Sequence, residues 1–297
     1  MPLALPLLAS FLYAVGSWSL KLGLRRGANL SMVTALSNLS MAGWSAPLIL
    51  FFQGQPHSQG FLGAALAGTA LFVGRFCALR ALSHGDLSHA TPLLGIKTIF
   101  VALLTFLFLD EPISLGLLGA ALLTALAVVL LSISPQYTRQ TWWSNKSHWI
   151  TTGWALLAAF FFALTDITVQ KYARLLGVGW FQPLMFATLA ILTPLLFLPT
   201  WYRRTPLSSS LPSASRVGVL AGSGVIGFQT SLVILVIGIF GHATATNVVY
   251  AARGLWAVLL EGAAGGGATG SDRRILVLRL TGAMLLLVAV ALAVGSL

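Results

Sequence analysis

The chain has 297 residues, 57 % of them hydrophobic and only 8 % charged, and a formal net charge of +11. Soluble domains carry roughly a quarter charged residues, and a water-exposed fold this apolar would aggregate, so the composition excludes a soluble protein and fits a chain solvated by lipid. The 17 Lys and Arg residues fall mostly in short breaks between apolar runs, a pattern that sets membrane topology and meets anionic headgroups rather than nucleic acid.

A spanning helix needs about 20 mostly apolar residues. In chain order the runs predict spans at 3–24, 30–52, 61–82, 88–109, 113–133, 149–175, 180–201, 217–240, 243–263 and 275–294. The first 16 residues lack the basic start of a signal peptide and read as the beginning of the first span. Cys77, the single cysteine, lies inside the third apolar run; it reads as a small buried residue and can form no intramolecular disulfide. The longest central polar break, 134–148, holds Arg139 and Lys146, with Trp142, Trp143 and Trp149 at what reads as an interface. The expected fold is an all-α polytopic membrane protein of about ten helices. Its organisation reads as a five-helix repeat at 1–133, a connector at 134–148 and a second five-helix repeat at 149–297.

The two halves look alike. Lys21 ends helix 1 and Lys171 ends helix 6, 150 residues on. Lys97 in helix 4 answers to Arg253 in helix 9, and Leu118-Gly119-Ala120 in helix 5 to Thr281-Gly282-Ala283 in helix 10. The offset grows along the chain, and the glycine-rich stretch 262–270 is a natural insertion; a constant offset would pair Lys97 with Asn247 and Glu111 with Glu261 instead. An odd number of spans per half inverts the second half. Inverted repeats are a common plan of secondary transporters, with the site near the midplane.

Ten spans put the loops after helices 1, 3, 5, 7 and 9 on one face. Near it lie twelve cations: Lys21, Arg25, Arg26, Arg80, Arg139, Lys146, Arg203, Arg204, Arg216, Arg273, Arg274 and Arg279. The other face has two, Lys171 and Arg174. The positive-inside rule then places the crowded face in the cytoplasm and both termini outside, in what reads as the plasma (inner) membrane.

Charges left inside spans are functional candidates because they are costly there. Lys97 is too deep in helix 4 to snorkel easily, and Arg253 sits near the centre of helix 9. Two cations on symmetry-related helices would clamp a carboxylate or phosphate; alternatively each pairs with Asp166, Glu261 or backbone carbonyls and holds helices together. Arg75 reads as a cation reaching for headgroups. Asp166 is a proton-coupling candidate, since removal from water favours the neutral form of a carboxyl group, or the structural partner of a cation. Asp110-Glu111-Pro112 reads as punctuation between helices. Tyr13, Trp18, Asn38, Trp44, Asn247, Tyr250 and Trp256 complete a cavity of aromatic and small polar groups. His84, His89 and His242 show no metal-ligand spacing. No catalytic set, metal site, cofactor motif or nucleotide-binding loop stands out.

Ten helices in two halves resemble the drug/metabolite transporter superfamily. So does the passage Phe100-Val101-Ala102-Leu103-Leu104-Thr105-Phe106-Leu107-Phe108-Leu109-Asp110-Glu111-Pro112, followed by Leu118-Gly119-Ala120. The nearest likeness is to its ten-helix EamA-like metabolite exporters, in which a leucine–glycine–glutamate turn precedes a glycine on helix 5; here Asp110 stands for that glycine and Glu111 for the glutamate. The resemblance implies secondary transport of amino acids or other small metabolites through a central cavity. Sugar-phosphate translocators of the superfamily hold phosphate with basic residues on helices 4 and 9, which Lys97 and Arg253 match in placement. The chain departs from the pattern in lacking a glutamate turn in its second half and in its charge bias toward external termini.

The expected function is therefore secondary active transport, not enzymatic, of a small anionic or zwitterionic metabolite: an amino acid, organic acid or sugar-phosphate type. Binding is expected from Lys97, Arg253, Asn247, Tyr250, Trp256, Tyr13, Trp18 and Asn38, with Asp166 for protons. Alternatives are a multidrug or cation exporter of the same superfamily, or a lipid-handling membrane enzyme. Expected partners are the substrate and the bilayer, with protons a candidate coupling ion and a homodimer a candidate assembly.

Overall fold

A computed structural model of the chain describes residues 4–84, 94–109, 114–131, 146–198, 211–263 and 273–295. The described residues form no strand. The helices are α1 (Ala4–Arg25), α2 (Leu30–Ser45), α3 (Leu48–Phe51), α4 (Ser58–His84), α5 (Lys97–Phe108), α6 (Leu115–Leu131), α7 (Lys146–Leu176), α8 (Val178–Leu192), α9 (Ser213–Phe240), α10 (Ala243–Tyr250), α11 (Arg253–Ala263) and α12 (Arg273–Gly295). A 3-10 turn, Thr193–Phe197, extends α8.

Local chemistry sets the ends. Gly27, at φ +87, closes α1 in the left-handed conformation that only glycine adopts without cost. Ala28 N–H bonds back to Gly23 O and Gly27 N–H to Leu24 O, the paired bonds of a Schellman cap. Two residues on, the Asn29 side chain accepts from Ser31 N–H at 2.8 Å and starts α2. Helix α2 stops just before Pro47, which has no N–H with which to continue the helical ladder.

Seven helical segments are long and apolar enough to cross a membrane: Ala4–Arg25, Leu30–Phe51, Ser58–Ala81, Trp149–Leu176, Val178–Phe197, Ser213–Phe240 and Val277–Gly295. The other three expected spans, 88–109, 113–133 and 243–263, are each represented among the described residues. The described part of the fourth holds the 12-residue α5, that of the fifth the 17-residue α6, and the ninth is two helices, α10 and α11, parted at Ala251 and Ala252. There Ala252 N–H bonds to Val249 O and Gly254 N–H to Ala251 O, a tighter three-residue spacing that interrupts the regular ladder. Asp110, Glu111, Pro112 and His89 lie outside the described residues, as do the side chains of His84 and Glu261.

The chain forms two compact units, Met1–Phe72 with Thr168–Gly241, and Val73–Ile167 with His242–Leu297. Each draws on both halves of the sequence, so compact packing and the expected repeat divide the chain differently. In the first unit α1 lies along α9, which also packs on α2, and α8 packs on α2 and α3. A methyl group on Gly23 would overlap the Val219 side chain, so its bare hydrogen lets α1 and α9 approach. In the second unit α6 lies along α12, and α10 packs on α5, α6 and α12. Gly282 abuts the Ala127 backbone oxygen, whereas Gly119, its expected repeat mate, faces open space.

Candidate functional site

The second unit holds the buried charge. Lys97 is the first residue of α5, straight after a turn at Ile96. Its Nζ lies 2.7 Å from Asp166 Oδ2 on α7, with the two side chains 15 % and 4 % exposed. Asn247 on α10 donates its Nδ2–H to the same Asp166 oxygen at 2.6 Å, and also to Ala243 O at 2.9 Å. One carboxylate oxygen thus receives an ammonium and an amide from two other helices. Such charge-assisted bonds are what make a buried ion tolerable. Asp166 is the one buried charged residue among those described.

Arg253 opens α11 as Lys97 opens α5. Its guanidinium carbon stands 4.7 Å from the centroid of the buried Tyr250 ring, within cation–π range. Lys97, Thr98, Asn247, Tyr250 and Arg253 line a single cleft within this unit. The cleft is narrow, with room for about one water molecule. Cations at the starts of two helices stand at the positive dipole ends, an unfavourable placement that an anion between them relieves.

Hydroxyls on α5 and α10 are bonded as well. Thr98 Oγ1 donates to Gly95 O at 3.1 Å, and Thr105 and Thr244 share a hydrogen bond at 3.2 Å between α5 and α10. Sequence reasoning missed these threonines. Nothing in an apolar run separates a threonine that faces a cleft from one that bonds back to its own helix.

The structure brings together Lys97, Asp166, Asn247, Tyr250 and Arg253 from four helices, α5, α7, α10 and α11. Trp256 packs instead against the apolar cluster of Ala127, Leu131, Ala251, Ala252 and Leu286. Tyr13, Trp18, Asn38 and Trp44 belong to the first unit. There Asn38 is fully buried and donates to Thr193 Oγ1 at 2.9 Å. Trp18 and Trp44 are both exposed. Trp44 nevertheless donates its Nε1–H to Gly224 O at 3.0 Å and meets Phe228 edge-on at 5.0 Å. Arg75 is half-buried on α4, and Arg80 stacks over Phe76 at 5.4 Å. Among the described residues no group of three or more His, Cys, Asp or Glu side chains could hold a metal ion.

A search of the curated proteins finds no match. Solved structures match in 29 chains. One, described only as "Crystal structure of protein", has a TM-score of 0.74 over 98 % of this chain and 97 % of its own, at 16 % identity. At that identity the likeness shows the fold alone. Residues 2–133 match the model of the EamA-like transporter family. That family belongs to the drug/metabolite transporter superfamily and its members are transporters rather than enzymes; the likeness of residues 2–133 to it, with the seven apolar helices, marks the chain as an integral membrane protein.

Proposed function

We propose that the chain is a secondary active transporter that moves a small anionic or zwitterionic metabolite by alternating access, with the cleft at Lys97 and Arg253 as its binding site. The observation that carries this reading is that two cations, each the first residue of a helix that follows a break, line one cleft with an amide and a phenol ring. Lys97 is balanced by Asp166, and Arg253 adds a second positive charge, so the cluster is formally cationic. A carboxylate or phosphate complements it, and Asn247 and Tyr250 supply neutral contacts. The same charge count disfavours a cation exporter, because the buried carboxylate already holds an ammonium.

A metabolite needs the cleft to widen. The interrupted ladder at Ala251 and Ala252 offers a place for that movement, as broken helices do at transporter sites. The matching placement of Lys97 and Arg253 after breaks in helices 4 and 9 supports the inverted duplication, and the Lys/Arg bias supports external termini. The test is a thermal-shift screen of the purified protein in detergent against amino acids, organic acids, sugar phosphates, nucleotide sugars and hydrophobic cations. A ligand that binds only the folded state raises its stability by mass action. Stabilisation by one anionic class, lost in Lys97→Gln and in Arg253→Gln, is the expected result. Stabilisation by cations, or anion effects indifferent to both substitutions, would overturn the reading.

A further inference from the structure

The inference concerns what accompanies the substrate, and it rests on the anion site proposed above. Lys97 lines the cleft, whereas Asp166 is not part of its wall and is buried against Lys97 and Asn247. An anion entering the cleft therefore meets the ammonium and not the carboxylate. The ammonium has three donors but only one positive charge, and a bound anion draws that charge away from Asp166. A carboxylate left in a water-poor interior without its counter-ion is far more stable neutral than charged.

We propose that anion binding and proton uptake are one exchange at Lys97. The bound anion takes over the ammonium, and Asp166 takes a proton from water that enters by the cleft. Before the exchange the site holds an ammonium, the Arg253 guanidinium and a carboxylate; afterwards it holds the same two cations, an anion and a carboxylic acid. One monoanion and one proton have entered, so the site's net charge is unchanged. Asn247 acts as a positioning residue. Its amide keeps donating to Asp166 Oδ2, which leaves Oδ1 to carry the new proton.

The surroundings are suited to this. From neighbouring elements Asp166 is met by Lys97 on α5 and Asn247 on α10. Arg75 on α4 follows Gly74, which packs against Phe162 one turn before Asp166. Tyr250 and Arg253 line the same cleft as Lys97. Arginine and tyrosine keep their charge states between about pH 5 and 8, and His242, at the start of α10, is exposed. Asp166 is the only acidic residue whose side chain is described, so among the described groups it is the one placed to bind the proton.

The test uses the full chain in detergent and methanesulfonate, which stays a monoanion across this range. Calorimetric titration at one pH, in two buffers of different ionisation heat, counts the protons taken up per anion bound. The expected result is about one proton per anion, with affinity falling about tenfold per pH unit as the pH rises. Asp166→Asn should still bind methanesulfonate, with no proton uptake and no pH dependence. The double variant Lys97→Gln/Asp166→Asn, which removes both charges together, should not bind it. Binding by the wild-type chain without proton uptake overturns the exchange and leaves the anion site standing, as does proton uptake that persists in Asp166→Asn. A wild-type chain that binds neither methanesulfonate nor inorganic phosphate overturns the anion site, and the exchange with it.

Discussion

The two compact units solve the same problem, polar groups in an apolar setting, in opposite ways. In the first, the buried polar residues are neutral, and they bond across helices: Ser37 to Ser223, Asn38 to Thr193, and Gln182 to the Ser231 backbone oxygen. Its cations sit at helix ends, where Arg26 reaches Ala214 O and Arg174 reaches Phe240 O at the end of α9. The second unit buries an ion pair and lines a cleft with a second cation. A neutral hydrogen bond across helices costs little to maintain, while a buried charge is expensive unless it is fully satisfied. The unit that tolerates the expense is the one in which to look for function.

Substitutions can break or sharpen that contrast. The largest effect on folding is expected from Asp166→Leu, which strands the Lys97 ammonium beside a hydrocarbon side chain. The cost should be roughly 3–5 kcal/mol, read as a lower thermal midpoint in detergent. Replacing both partners, as Lys97→Met/Asp166→Leu, should recover most of that stability while abolishing substrate binding. A double variant that still binds substrate would mean that the pair is structural only.

Arg253→Gln should act on the ligand and hardly on the fold. The loss of one charge-assisted contact is worth about 1.5–3 kcal/mol, or at least tenfold in apparent affinity, with the thermal midpoint of the empty protein almost unmoved. Arg253→Lys should restore only part, because an ammonium lacks the planar face that stacks on Tyr250. Ligand binding would be followed by the thermal-shift titration.

The first unit should show the reverse. Gly23→Ala pushes a methyl group into Val219 and should cost about 1–3 kcal/mol by overpacking, with ligand affinity unchanged in the protein that folds. The smallest effect is expected from Trp44→Phe, which keeps a ring beside Phe228 and removes one N–H bond to Gly224 O, for about 0.5–1.5 kcal/mol. A marked loss of substrate affinity in either variant would erase the distinction between the units.

Much of this was legible in the sequence. Apolar runs gave α1, α4, α7, α9 and α12 to within a few residues, because lipid demands continuous hydrophobic stretches. The same runs hid the interruption at Ala251 and Ala252, where no proline stands and only Gly254 weakens the helix. Lys97, Asp166 and Arg253 were recognisable as charges in the wrong solvent. Their division of labour was not, since Lys97 and Asp166 stand 69 positions apart in the chain and only folding brings them within 2.7 Å. Trp256 illustrates the opposite limit: its composition suits a cavity wall, yet its position after the break turns it toward Leu286 and the alanines of α6 and the break itself. The compact units, each assembled from both sequence halves, have no counterpart in the linear pattern at all.

The charge count at the cleft also bears on voltage. Each elementary charge moved across a membrane exchanges about 2.3 kcal/mol with a potential of 100 mV. With Lys97, Asp166 and Arg253 the empty site carries one formal positive charge; with a monoanion bound and Asp166 protonated it carries the same. A resting potential would then act equally on the outward and the return journey of the site. It would tilt the carrier's preference for one side without driving accumulation, and only gradients of the metabolite and of pH would supply a thermodynamic force.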